Sequence, residues 1–174
     1  MEYDLKPLIR FLEHLPKNGD AELAILKCHL LIEELLEKII TREAKNPGYV
    51  IRAKLGFAKK MYLARAHSQL EQETWLWGAV KQLNDTRNEL VHGLSPEELQ
   101  IQCSSFIEIV ESAQGKPEQD SLGPTFNRFH WAAFKVFTKL AVYAHFDPTK
   151  IRRPTLLTGN TDLQGAADTD KPNR

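Results

Sequence analysis

Asp20-Ala21-Glu22-Leu23-Ala24-Ile25-Leu26-Lys27-Cys28-His29-Leu30-Leu31-Ile32-Glu33-Glu34-Leu35-Leu36-Glu37-Lys38-Ile39-Ile40 decides the fold. Ala24, Cys28, Leu31, Leu35 and Ile39 recur at steps of three and four, the period of an α-helix. Leu26, Leu30, Leu36 and Ile40 flank that row. So wide an apolar face belongs to a helix buried on more than one side. Asp20 is a suitable N-cap, and Asn46-Pro47-Gly48 ends the segment after about Ala44.

Outward from this helix the chain reads as more helices, with no internal repeat and no convincing strand. A short one is expected over residues 2–15, with Leu5, Leu8, Ile9 and Leu12 on one side, broken at residues 16–19. A third is expected over 49–69, with Leu55, Ala58, Met61 and Tyr62 inward. It is basic through Arg52, Lys54, Lys59, Lys60 and Arg65. A fourth, over 72–92, begins with Trp75 and Trp77, and Gly93 suits the left-handed position after its end. Ser95-Pro96-Glu97-Glu98 then starts a fifth helix, with Ser as N-cap, Pro at the first position and Glu completing a capping box. So short a connection makes the fourth and fifth helices antiparallel neighbours. The fifth ends near Gly115, and a polar loop over 116–123 follows. A sixth, over 124–146, carries Phe126, Phe129, Trp131, Phe134, Phe137 and Tyr143, a stripe that reads as core or dimer interface. The expectation is an all-α antiparallel bundle of five to six helices over residues 1–147. Residues 148–174, poor in large apolar side chains, are expected to form a flexible tail.

The bulk numbers suit one soluble domain: 174 residues, 42% hydrophobic and 26% charged. Twenty-three basic residues balance twenty-three acidic ones, so any RNA binding has to rest on a local patch. Met1-Glu2-Tyr3-Asp4 lacks the regions of a signal peptide, and no apolar run approaches the roughly 18 residues of a membrane span. Cys28 and Cys103 sit in apolar-periodic contexts and read as buried free thiols. The expected location is the cytoplasm, with no membrane association.

Leu83-Asn84-Asp85-Thr86-Arg87-Asn88-Glu89-Leu90-Val91-His92-Gly93 carries the chemistry. Asn84, Asn88 and His92 are four apart and form one helical stripe. Arg87 and His92 are about 140° apart around the helix, a gap a long Arg side chain can close. The guanidinium fork matches a phosphate. An imidazole at a helix C-terminus is favoured as the cation by the exposed carbonyls. The bland alternative pairs Arg87 with Asp85 or Glu89 and makes His92 a C-cap. Arg10 with His14 has the same spacing and reads as surface decoration.

Arg87-Asn88-x-x-x-His92, closing a helix in an all-helical chain, resembles the signature of the HEPN family, small helical domains that often act as ribonucleases. Residues 30–40 (Leu-Leu-Ile-Glu-Glu-Leu-Leu-Glu-Lys-Ile-Ile) look like that family's long first core helix. Leu55-Gly56-Phe57-Ala58-Lys59-Lys60 is similar to a segment that often follows in bacterial members. The resemblance covers roughly residues 20–145 and is specific only at the motif. It implies a helical bundle, a homodimer with two motifs facing each other, and RNA cleavage without a metal or cofactor. Arg87, Asn88 and His92 are then catalytic, and Asn84, Lys54 and Arg65 are candidate substrate contacts. A subgroup silenced by a nucleotidyltransferase partner carries Tyr two positions after the His, where this chain has Leu94.

The remaining candidates are weaker. Glu34 and Lys38 are expected to pair across one helical turn, leaving Glu33 as a possible cleft residue. The basic third helix reads first as a solvated face and second as an RNA track. His29, His67, His130 and His145 show no metal-ligand spacing, and no Gly-rich phosphate loop occurs. The function expected is an endoribonuclease of a toxin, phage-defence or stress system, acting on RNA, with an antitoxin or regulatory protein as partner. The alternatives are a non-catalytic HEPN-like module that binds nucleotide, RNA or protein, and a helical adaptor whose motif is only structural.

Overall fold

The computed structural model describes residues 6–17, 19–118 and 127–145. These form seven helices: α1 (Lys6–His14), α2 (Ala21–Glu43), α3 (Pro47–Arg52), α4 (Phe57–His67), α5 (Thr74–Val91), α6 (Pro96–Gln114) and α7 (Arg128–His145). No strand occurs among the described residues, so the fold is the all-α bundle that the periodicity predicts. The expected tail, with Pro124, Phe126 and Phe146 of the sixth helix and Leu5 of the first, lies outside the described residues.

α2 is the hub. Asp20 caps it, its carboxylate accepting from the Leu23 N–H at 2.9 Å. Ile25, Cys28, Ile32, Leu36 and Ile39 are fully buried along it, and α1, α3, α4, α5 and α7 all pack against it. Of the flanking residues, Leu36 and Ile40 are buried, but Leu26 and Leu30 stay exposed at 39% and 59%. α7 lies parallel to α2: the Arg42 guanidinium near the end of α2 stacks on Tyr143 near the end of α7, 4.4 Å from the ring centre. Lys139 of α7 pairs with Glu73, just before α5, at 2.6 Å. α5 therefore starts beside the C-terminal half of α2 and runs back along it.

The segment expected as one helix over 49–69 is two. Lys54 adopts the left-handed conformation (φ 47°), and Gly56 is extended as the N-cap of α4. The break resets the helical phase, so the inward residues are Phe57, Met61 and Ala64, whereas Ala58 and Tyr62 are exposed. In α1 the buried residue is Phe11, whose ring stacks on Phe137 at 4.3 Å; Ile9 and Leu12 face outward. Glu34 does not pair with Lys38. It binds Arg10 at 2.6 Å, while the Lys38 ammonium donates to His145 Nδ1 at 2.9 Å. Both cysteines are free; Cys28 is buried, with its thiol pKa pushed up by burial, and Cys103 is half-buried.

Two buried imidazoles couple the fold to pH. Burial holds both His29 and His130 below their ordinary pKa of 6.5. His130 Nδ1 accepts from the Asn127 N–H at 3.3 Å, which requires the unprotonated nitrogen. The unfolded chain therefore binds more protons than the folded one just below pH 6.5, and stability falls as pH drops through that value. Glu73 and Glu111 are also held low, by Lys139 and Arg128 respectively, but from 4.5, so their loss comes only under more acidic conditions. The melting temperature should accordingly decline between pH 7 and pH 5. Differential scanning calorimetry across that range checks this, and a flat profile down to pH 5 contradicts it.

Candidate functional site

The motif sits where α5 turns into α6. α5 ends because His92, its C-cap, leaves helical geometry (φ −91°, ψ 2°) while its N–H still reaches the Glu89 and Leu90 carbonyls. Gly93 follows in the left-handed region (φ 84°). Ser95 then opens α6: its hydroxyl accepts from the Glu98 N–H at 3.2 Å, and the Glu98 carboxylate accepts from the Ser95 N–H at 2.8 Å. Only Gly93 and Leu94 separate the two caps, as the sequence predicts.

Packing against α6 fixes the polar neighbours of Arg87. The Glu89 carboxylate accepts from Gln102 at 2.7 Å, and Gln102 also accepts from Gln82 at 2.5 Å. Asp85 is held by Lys81 at 2.5 Å. Both carboxylates that could have neutralised Arg87 are thus engaged elsewhere. Arg87 is half-buried, makes no ion pair among the described residues, and donates only to Asn88 Oδ1 at 3.3 Å. Asn88 and His92 are exposed, and the His92 imidazole has no hydrogen-bond partner among the described residues. A guanidinium lacking a carboxylate and an open imidazole at one helix end can receive an anion and exchange a proton with it.

Asn84 points the other way along the stripe, toward α2, where His29 Nε2 lies 3.3 Å from its Oδ1. His29 is only 6% exposed, and its ring lies on Phe57 of α4, centroids 4.1 Å apart. Burial is the main cause of its lowered pKa. The Asn84 hydrogen bond and the Glu33 charge act against the shift, and the Arg87 charge adds to it. Glu33 thus lies near the site, but as one side of a clamp on Lys60, 2.9 Å from it, with Glu37 at 2.6 Å on the other side. Lys60 is consequently no free cation for RNA.

His29 is the neighbour that sequence reasoning missed. Its helical spacing placed it on the edge of an apolar face, and only tertiary packing brings it to a residue 55 positions away. Lys54, exposed in the α3–α4 connection, and Arg65, half-buried in the last turn of α4, make no side-chain hydrogen bond or ion pair among the described residues. Among the described residues no hydrogen bond or ion pair joins either to Arg87 or His92. Among the described residues, no three His, Cys, Asp or Glu side chains come together as a metal ion requires. None of the helices found there is long and apolar enough to cross a membrane. No protein-family model matches the chain, and no curated protein or solved structure shows significant similarity to it.

The turn makes two contrasting demands. A Cβ at position 93 meets no atom within 4 Å, so the cost of Gly93→Ala is backbone strain alone, about 1 kcal/mol. His92→Ala, at an exposed cap, should cost no more than about 0.5 kcal/mol. Urea titrations of the two variants test this ranking; a larger loss for His92→Ala makes that side chain structural.

Proposed function

We propose that this chain is a HEPN-like endoribonuclease that cleaves RNA without a metal, working as a homodimer. The observation that carries the reading is Arg87: a half-buried guanidinium whose flanking carboxylates are engaged elsewhere, beside Asn88 and one and a half turns before an open His92. An RNA 2′-hydroxyl attacks the adjacent phosphorus and loses its proton to an imidazole. The bond to the 5′-oxygen breaks, and that oxygen takes a proton from a second imidazole. The products end in a 2′,3′-cyclic phosphate and a 5′-hydroxyl. Arg87 stabilises the charge growing on the phosphoryl oxygens, and Asn88 orients the phosphate or His92.

His92 is the one imidazole at this helix end, whereas acid and base are both needed, and a two-fold dimer supplies the second. The surroundings favour such an interface. Val91, 66% exposed, falls on the same helical face as Asn84, Arg87 and Asn88, and exposed Leu26 and Leu30 flank His29 on α2. Exposed apolar side chains such as these gain from being covered by a second copy. The setting we propose is a cytoplasmic toxin, phage-defence or stress system with an antitoxin or regulatory protein as partner. Lys54 and Arg65 are proposed as outlying phosphate contacts.

Cleavage should persist in excess EDTA, and RNA methylated at the 2′-oxygen of the cut site should resist. Activity lost on chelation and restored by Mg²⁺ refutes the mechanism. His92→Ala should lower the rate by about 10²–10⁴ while RNA binding remains, whereas Arg87→Ala should weaken both. Light scattering at micromolar concentration should give a dimer; a monomer under conditions where RNA is cut removes the composite site. A wild type that cuts no RNA yet binds a nucleotide or protein through this face is the non-catalytic module instead.

A further inference from the structure

His29 sets the orientation of one donor in the site. A carboxamide oxygen only accepts, so the 3.3 Å contact to Asn84 Oδ1 requires the proton on His29 Nε2. With Oδ1 turned into the bundle, Asn84 Nδ2 is left outward, and it has no partner among the described residues. The imidazole is itself held, buried on Phe57. The charged groups near it are Glu33 on its own helix, engaged by Lys60 of α4, and Arg87 of α5. A free amide in water samples both orientations; one tied from behind presents its N–H₂ groups without that loss.

Position along α5 says what this donor reaches. Asn84 lies eight residues before His92, about 12 Å along the axis, whereas Arg87 is about 7.5 Å away and has the longer side chain. Asn84 is therefore too far to share a phosphate with His92 in the same chain. We propose that His29 is a positioning residue that locks Asn84 as a donor to a phosphodiester oxygen of the nucleotide flanking the cut. This rests on the ribonuclease reading and adds to it a second phosphate subsite on α5.

The test compares a dinucleoside monophosphate, which has only the scissile phosphate, with a tetraribonucleotide cut at its centre. On the tetranucleotide, His29→Phe and Asn84→Ala should each raise KM about tenfold, the usual scale for a hydrogen bond to a charged group, with kcat nearly unchanged. The double variant should be no worse than either single one, and His29→Gln, which keeps a donor near the Nε2 position, should recover most of the loss. On the dinucleotide all variants should match the wild type. Equal losses on both substrates, additive losses in the double variant, or an unaffected His29→Phe overturn the proposal while leaving the ribonuclease reading intact. If His29→Phe does not fold, Asn84→Ala and His29→Gln decide the matter. If the wild type cuts neither substrate, the ribonuclease reading fails. The His29 proposal is then judged by binding of a 2′-O-methyl tetranucleotide: weaker binding by the variants supports it, and equal or absent binding overturns it.

Discussion

Burial of α2 against five other helices is the constraint on which the rest of the structure depends. A helix so enclosed can carry few polar groups inward, because each buried donor or acceptor left unpaired costs about 1–3 kcal/mol. His29 meets that requirement by lying on Phe57 of α4 and bonding Asn84 of α5. One imidazole thereby ties three helices in a single register. That register also puts Glu33 and Arg87 on opposite sides of its charge balance, which joins the core to the surface where the motif lies.

The same economy governs the charges. Among the described residues, four cations are matched by acids from other elements. Arg10 meets Glu34, Lys60 meets Glu33 and Glu37, Arg128 meets Glu111 and Lys139 meets Glu73. A chain of zero net charge has little electrostatic reach toward nucleic acid as a whole. Arg87 is distinguished instead by its two neighbouring acids, Asp85 and Glu89, each of which is engaged by another residue.

Much of this was legible in the sequence because it is local. The Asp20 cap, the end of α5 at Gly93, and the Ser95–Glu98 capping box depend on residues a few positions apart. What was not legible depends on distance or on phase. The break at Lys54 and Gly56 starts a new helix, in which Met61 faces inward as expected but Ala58 and Tyr62 face outward. Glu34 had a partner one turn away in Lys38, yet chose Arg10 of α1 because tertiary packing offered a bidentate Arg. The partnership of His29 and Asn84 spans 55 positions, and no pattern in either helix marks it.

The junction from His92 to Glu98 also limits how chains of this kind can change in length. His92 closes one helix, Gly93 supplies the left-handed turn, Ser95 caps the next helix, Pro96 fits its first position and Glu98 returns the cap. Every position but Leu94 and Glu97 is committed to backbone geometry, so an inserted residue uncouples the two caps. The α3–α4 connection has no such reciprocal caps: Gly56, the N-cap of α4, makes no side-chain cap hydrogen bond. Insertions and deletions are far better tolerated there, so the bundle can be remodelled on the α3–α4 side while the end that carries His92 keeps its length.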